Sequence, residues 1–127
     1  MDGGTLVCDL EAGVGTLLRV QPGQLDVVLV VAEPSAKGID VARRAAEIAA
    51  SRARVIVLAN KVRGEADVDA IRRALPAYEL VAIPEDPVVQ RADREGRAPL
   101  DVDPGAPAVE ALARLAARVA SSETNSP

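Results

Sequence analysis

Apolar residues fall in four short, nearly continuous runs, Thr5–Cys8, Asp26–Ala32, Arg54–Ala59 and Glu79–Ile83. They are rich in β-branched residues and do not alternate with polar ones. Strands of this kind are buried on both faces, as in a parallel sheet covered by helices. Between the runs the pattern changes to a helical period. Ala36–Ser51 sets Ile39, Ala42, Ala46 and Ala49 on one face, with Ser35 placed to cap its start. Glu65–Leu75 repeats the pattern with Val68, Ile71 and Leu75, and Pro76 stops it. Its acids Glu65, Asp67 and Asp69 come first and Arg72 and Arg73 last, which suits the helix dipole. Asp86-Pro87 reads as the cap and first position of a short helix reaching Glu95. Arg97–Pro107 is a loop rich in Pro, Gly and Asp, and Pro107–Ser121 stripes Val109, Leu112, Ala116 and Val119 along one side.

The order of these elements predicts an α/β fold: an open doubly wound, mainly parallel sheet of about four strands with helices on both faces. Residues 1–121 form one domain in this reading, and the polar stretch 122–127 is a disordered tail. The chain of 127 residues is 49% hydrophobic, enough to bury a real core. That core is aliphatic, because Phe and Trp are absent and Tyr78 is the only aromatic residue. Aromatic stacking of single-stranded bases is thereby excluded. The formal charge is −4 and no basic stripe stands out, so no nucleic-acid partner is expected. The absence of His removes the commonest general base and metal ligand, and the single Cys8 excludes an intrachain disulfide. The longest apolar run, Val27 to Ala32, is too short to span a bilayer, and Met1-Asp2-Gly3-Gly4 lacks a basic leader region. No membrane association is expected, and the cytoplasm is the default location.

In open α/β sheets, ligands bind beyond the carboxyl ends of the strands. Each run here ends in polar or special residues: Asp9-Leu10-Glu11-Ala12-Gly13, Glu33-Pro34-Ser35, Asn60-Lys61-Val62 and Pro84-Glu85-Asp86. Caps and turns want the same residue types, so each end alone is also explained as loop chemistry. Together on one rim they suggest a site.

These segments carry a resemblance. Asp9-Leu10-Glu11-Ala12-Gly13 is similar to the Asp-x-x-Ala-Gly segment of MinD/ParA-type P-loop ATPases. It looks most like the form found in the carbon monoxide dehydrogenase maturation ATPases (CooC type). Val31–Ser35, Ala59–Val62, Ile83–Asp86 and Ala92–Leu100 follow in the family's order, so the resemblance runs from about Leu6 to Val119. It implies a partial P-loop NTPase fold that binds ATP or ADP with Mg²⁺. Asp9 would then order Mg²⁺ through water, and Gly13 would let the backbone approach the γ-phosphate. Asn60 would pair with adenine, as an Asn amide pairs with N6 and N7 in DNA readout. Pro84, Glu85 and Asp86 would line the base pocket, with Lys61 beside it. Family GTPases carry Asn-Lys-x-Asp where this chain has Arg63, which disfavours GTP. A metalloenzyme client is also implied. The plainer readings stand beside these: Asp9 as a strand end, Asn60 as a turn residue, and Lys61 packing its stem across the loop.

The family's phosphate-binding loop lies upstream of the Asp-x-x-Ala-Gly segment, and here only four residues precede Thr5. Gly13-Val14-Gly15-Thr16 lacks the required Lys and matches the switch segment instead. The expectation is a fragment, a split subunit or a degenerate domain, with no ATP hydrolysis by this chain alone. A homo-oligomer or a partner chain bearing the P-loop would cover the sheet edge left open. The rival expectation is a non-catalytic interaction module that keeps the fold without the ligand.

Overall fold

The computed structural model describes residues 4–10 and 14–124. Three parallel strands form the sheet, β1 (Val27–Ala32), β2 (Arg54–Val62) and β3 (Glu79–Pro84), in the spatial order β1-β2-β3. Among the described residues six helices surround it: α1 (Val14–Leu18), α2 (Ala36–Ala50), α3 (Glu65–Ala74), α4 (Pro87–Glu95), α5 (Pro99–Val102) and α6 (Pro107–Thr124). α2 and α3 pack on the same face, as sequential strand order requires when parallel crossovers share the usual right hand. After β3 the chain turns over, and α6 covers the opposite face. The α/β class, the parallel sheet and helices on both faces are as the sequence pattern predicts.

Alternation along the strands sorts the core into two layers. Val28, Val30 and Ala32 of β1, with Val55, Val57 and Ala59 of β2, pack on Ala42, Ala46 and Ala49 of α2 and on Val68, Ile71 and Leu75. The other layer joins Ile56, Leu58 and Ile83 to Ala108, Ala111 and Leu115 of α6. Alanines along α2 bring that helix close to the sheet, which is how a core without large aromatics fills. Ile56, Ile71, Leu75 and Val57 are the largest fully buried side chains. Each such burial contributes about 1.5–3 kcal/mol.

Helix boundaries fall within a few residues of the pattern. Ser35 caps α2 by accepting from the Gly38 N–H at 3.0 Å. Gly38 is required there, since a Cβ would sit 2.9 Å from both the Glu33 carbonyl oxygen and Ser35 Oγ. Asp86 caps α4 with Pro87 in the first turn, and Gly96 ends that helix at a φ of 66°. The stretch read as a continuous loop between Arg97 and Pro107 contains the single turn α5. The long final helix continues through Thr124 rather than ending at Ser121, and 125–127 lie outside the described residues.

The expected first strand is not formed. Thr5–Cys8 has no strand assignment, and Leu6 and Val7 are 87% and 83% exposed. An extended apolar segment becomes a strand only when its backbone joins a ladder. This segment and the edge strand β1 both line a largely apolar cavity of about 450 Å³. The sheet therefore has three strands among the described residues, not four.

At the amino ends of the strands, Glu79 bridges Arg54 at 2.6 Å and Arg118 of α6 at 2.8 Å, tying β2, β3 and α6 together. Arg52 closes another corner. Its guanidinium donates to the Val20 carbonyl at 2.9 Å and the Ile48 carbonyl at 2.7 Å, holding the turn after α1 against the end of α2.

Candidate functional site

β2 and β3 leave the sheet side by side, and their exits are irregular. The ladder pairs Asn60 with Ile83 and then Val62 with Pro84, so Lys61 is bulged out. Lys61 has a φ of 58°, the one left-handed non-glycine residue among those described. The bulge restores pairing after one extra residue, and the Glu85 N–H donates to the Val62 carbonyl at 3.0 Å. Strained backbone of this kind concentrates at functional sites.

On the α2/α3 side of the rim lies a polar crevice of about 300 Å³, lined by Glu33, Pro34, Ser35, Lys61, Arg63, Asp67 and Glu85. Its charges are paired within it. Lys61 Nζ sits 3.1 Å from Glu33 Oε1, and Arg63 Nε donates to Glu85 Oε2 at 2.9 Å. The Arg63 backbone N–H donates to Asp67 Oδ2 at 2.9 Å, which fixes the turn into α3. The hydrogen bond that it donates to Glu85 holds the Arg63 guanidinium above its ordinary range, so it stays charged. These side chains are solvent-exposed, so the pairs order the rim rather than stabilise the fold.

Asn60 faces away from this crevice. Strand alternation places it on the α6 side with Ile56 and Leu58, beside Ile83. It is half-buried, and among the described residues its amide meets no hydrogen-bond partner. An amide so placed has two donors and an acceptor available to a ligand edge.

Asp86 is fully engaged. Its carboxylate is buried and accepts from the Val88 N–H and the Ala108 N–H, each at 3.0 Å. One side chain thus caps α4 and pins the start of α6, which leaves it a structural clamp under the rim. Pro84, half-buried, closes the ladder above it.

The residues expected to form a site are therefore distributed over three places. Lys61 and Glu85 share the polar crevice. Asn60, Pro84 and Asp86 occupy the β2/β3 exits toward α6. Asp9 is exposed in the extended segment beside the outer edge of β1, where it borders the apolar cavity. Gly13 lies outside the described residues. Glu33 and Arg63, read from the sequence as a strand end and as the residue that disfavours GTP, join the crevice, and so does Asp67 of α3, read only as a helix-dipole acid.

The fit to a magnesium nucleotide is one-sided. The β2/β3 exits offer the Asn60 amide, which has donors and an acceptor able to pair with a ligand edge. Among the described residues no group of three or more His, Cys, Asp and Glu side chains is placed to hold a metal ion.

A solved structure of the MinD cell division protein from Aquifex aeolicus is similar to this chain, at 27% identity and a TM-score of 0.59. The match covers 74% of this chain and 43% of that one, so this chain corresponds to less than half the length of the MinD protein. No protein-family model matches the chain. No curated protein sequence matches it either. The fold is MinD-like, consistent with part of a P-loop NTPase fold. No helix among the described residues is long and apolar enough to cross a membrane.

Proposed function

We propose that the chain supplies the base-side part of a MinD/CooC-like ATPase and takes adenine nucleotide at the exits of β2 and β3. The observation that supports this reading is the half-buried Asn60 amide, without a hydrogen-bond partner among the described residues, near the end of the central strand of a MinD-like sheet. In the proposed complex, Asn60 pairs with adenine N6 and N7. The backbone of Pro84–Asp86 forms the pocket wall, held by the Asp86 clamp. Lys61 and Glu85 border the same strand exits from the crevice on the opposite face. Arg63 occupies the position from which an acid would read guanine, which makes the pocket adenine-selective.

Hydrolysis is not proposed for this chain alone. Asp9 and Gly13 would act on the Mg²⁺ and γ-phosphate side only when a phosphate-binding loop is supplied, by a P-loop-bearing partner chain or within an oligomer. The client is a metalloenzyme undergoing maturation, and the setting is cytoplasmic.

A second reading, a non-catalytic interaction module, is favoured by a different observation. Leu29 and Val31 on the edge strand are 40% and 54% exposed. Isothermal titration with MgADP and MgGDP separates the two readings. The nucleotide account expects heat with ADP, little with GDP, and loss of the ADP signal in Asn60→Ala. Silence with both nucleotides leaves the interaction module.

A further inference from the structure

Beyond the bulge, the exits of β2 and β3 are joined at few points. The last rung of the ladder pairs Val62 with Pro84, and a proline has no N–H to donate. The next donor is Glu85, whose N–H reaches the Val62 carbonyl at 3.0 Å. The carboxylate of the same residue accepts from Arg63 Nε at 2.9 Å. Two adjacent residues of one exit, Val62 and Arg63, are thus tied to a single residue of the other, once through backbone and once through a side chain. The turn into α3 is fixed separately, by the Arg63 N–H on Asp67. Lys61 reaches the other way, to Glu33 beyond β1, so its pair does not cross between β2 and β3.

We propose that Arg63 is a positioning residue: through Glu85 it sets the spacing of the β2 and β3 exits between which the base is held. The role rests on the nucleotide reading above for its ligand and on the tied exits for its geometry. The Arg63 and Glu85 side chains lie on the crevice face while Asn60 takes the α6 face, so Arg63 acts on the pocket without touching the base. The charges of the crevice make this pair hard to replace. Glu33, Asp67 and Glu85 set three carboxylates against the cations Lys61 and Arg63. Lys61 is engaged by Glu33, which leaves Arg63 to balance Glu85 and Asp67. An acid at position 63 would stand beside both of those carboxylates and push the exits apart. A guanine-reading acid is therefore not introduced here by one substitution: base choice is written in positions 63 and 85 together. The pair is solvent-exposed, so its loss costs little stability and the variants fold.

The test compares the full chain with Arg63→Glu, with Glu85→Arg and with the two combined. In the nucleotide-free protein, the amide protection factor at residue 85 is expected to fall about threefold or more in each single variant and to recover in the combined one. ADP affinity by isothermal titration is expected to follow the same order while the urea midpoint stays put. If charge reversal unfolds the chain, Arg63→Gln removes the pair without adding repulsion and is expected to lower both readouts. Arg72→Glu makes the same charge change within an exposed pair on α3, and is expected to move neither readout. Arg63→Asp is expected to weaken ADP binding and to gain none for GDP. Protection at residue 85 that ignores charge reversal overturns the proposal. So does ADP affinity that fails to recover in the combined variant, or GDP binding gained by Arg63→Asp alone. An unsubstituted chain that does not bind ADP instead removes the nucleotide reading, and the protection factors then decide the spacing claim by themselves.

Discussion

Lys61 and Asp86 show how differently two neighbouring rim residues work. Lys61 holds a left-handed backbone that costs a non-glycine residue about 1 kcal/mol, offset only by an exposed pair with Glu33. Lys61→Gly is therefore expected to leave stability unchanged or raise it by up to about 1 kcal/mol in urea denaturation. Asp86 is the reverse. Replacing it with Ala strands the Val88 and Ala108 N–H groups and is expected to cost about 3 kcal/mol. Its role as a helix cap was legible from Asp-Pro. Its grip on Ala108, 22 residues away, was not, because no local pattern encodes a tertiary bond. Glu79 gives the pH dependence. The hydrogen bond from Arg54 lowers its carboxyl pKa below the ordinary 4.5, with further help from Arg118. A lowered folded pKa means the contribution is complete above the unfolded value and disappears as pH falls through the folded one. The pair is about one-third exposed, so solvent screening keeps the effect under about 1 kcal/mol. Glu79→Gln is expected to flatten the stability profile below about pH 4.5 and to leave its neutral slope alone.

At the scale of elements, helices and paired strands were legible because burial and capping are local signals. Ser35 and Asp86 cap where the sequence places them, and Pro76 follows the end of α3. What was not legible is pairing. β2 extends to Val62 through a bulge, a feature set by its neighbour β3 rather than by its own residues. Thr5–Cys8 has strand composition yet joins none of the strands formed by the described residues, so composition alone mispredicted it. Gly38 makes the same point by substitution. In an open helix, Gly→Ala gains about 0.5–1 kcal/mol. Here the added Cβ meets the Glu33 carbonyl and the Ser35 hydroxyl. Gly38→Ala is expected to lower the thermal midpoint, and a rise would mean that the first turn of α2 shifts without cost.

Over the whole molecule, the two ends of the sheet carry different tasks. The amino ends are tied by the Arg54–Glu79–Arg118 network, while the carboxyl ends hold the bulge, the crevice and Asn60, unpaired among the described residues. That division suits a sheet that is stabilised at one rim and binds at the other. The candidate site was legible as a set of strand ends but not as a geometry. Which face Asn60 takes depends on the alternation of β2, and the distance between Asp9 and the other rim residues depends on a strand that does not form. The central claim is that adenine nucleotide binds at the β2/β3 exits. Its most direct test is the backbone amide spectrum of the chain titrated with ADP. The account predicts saturable shifts centred on Ala59–Val62 and Ile83–Asp86, absent in Asn60→Ala. Shifts confined to other parts of the chain, or none at saturating ADP, contradict it.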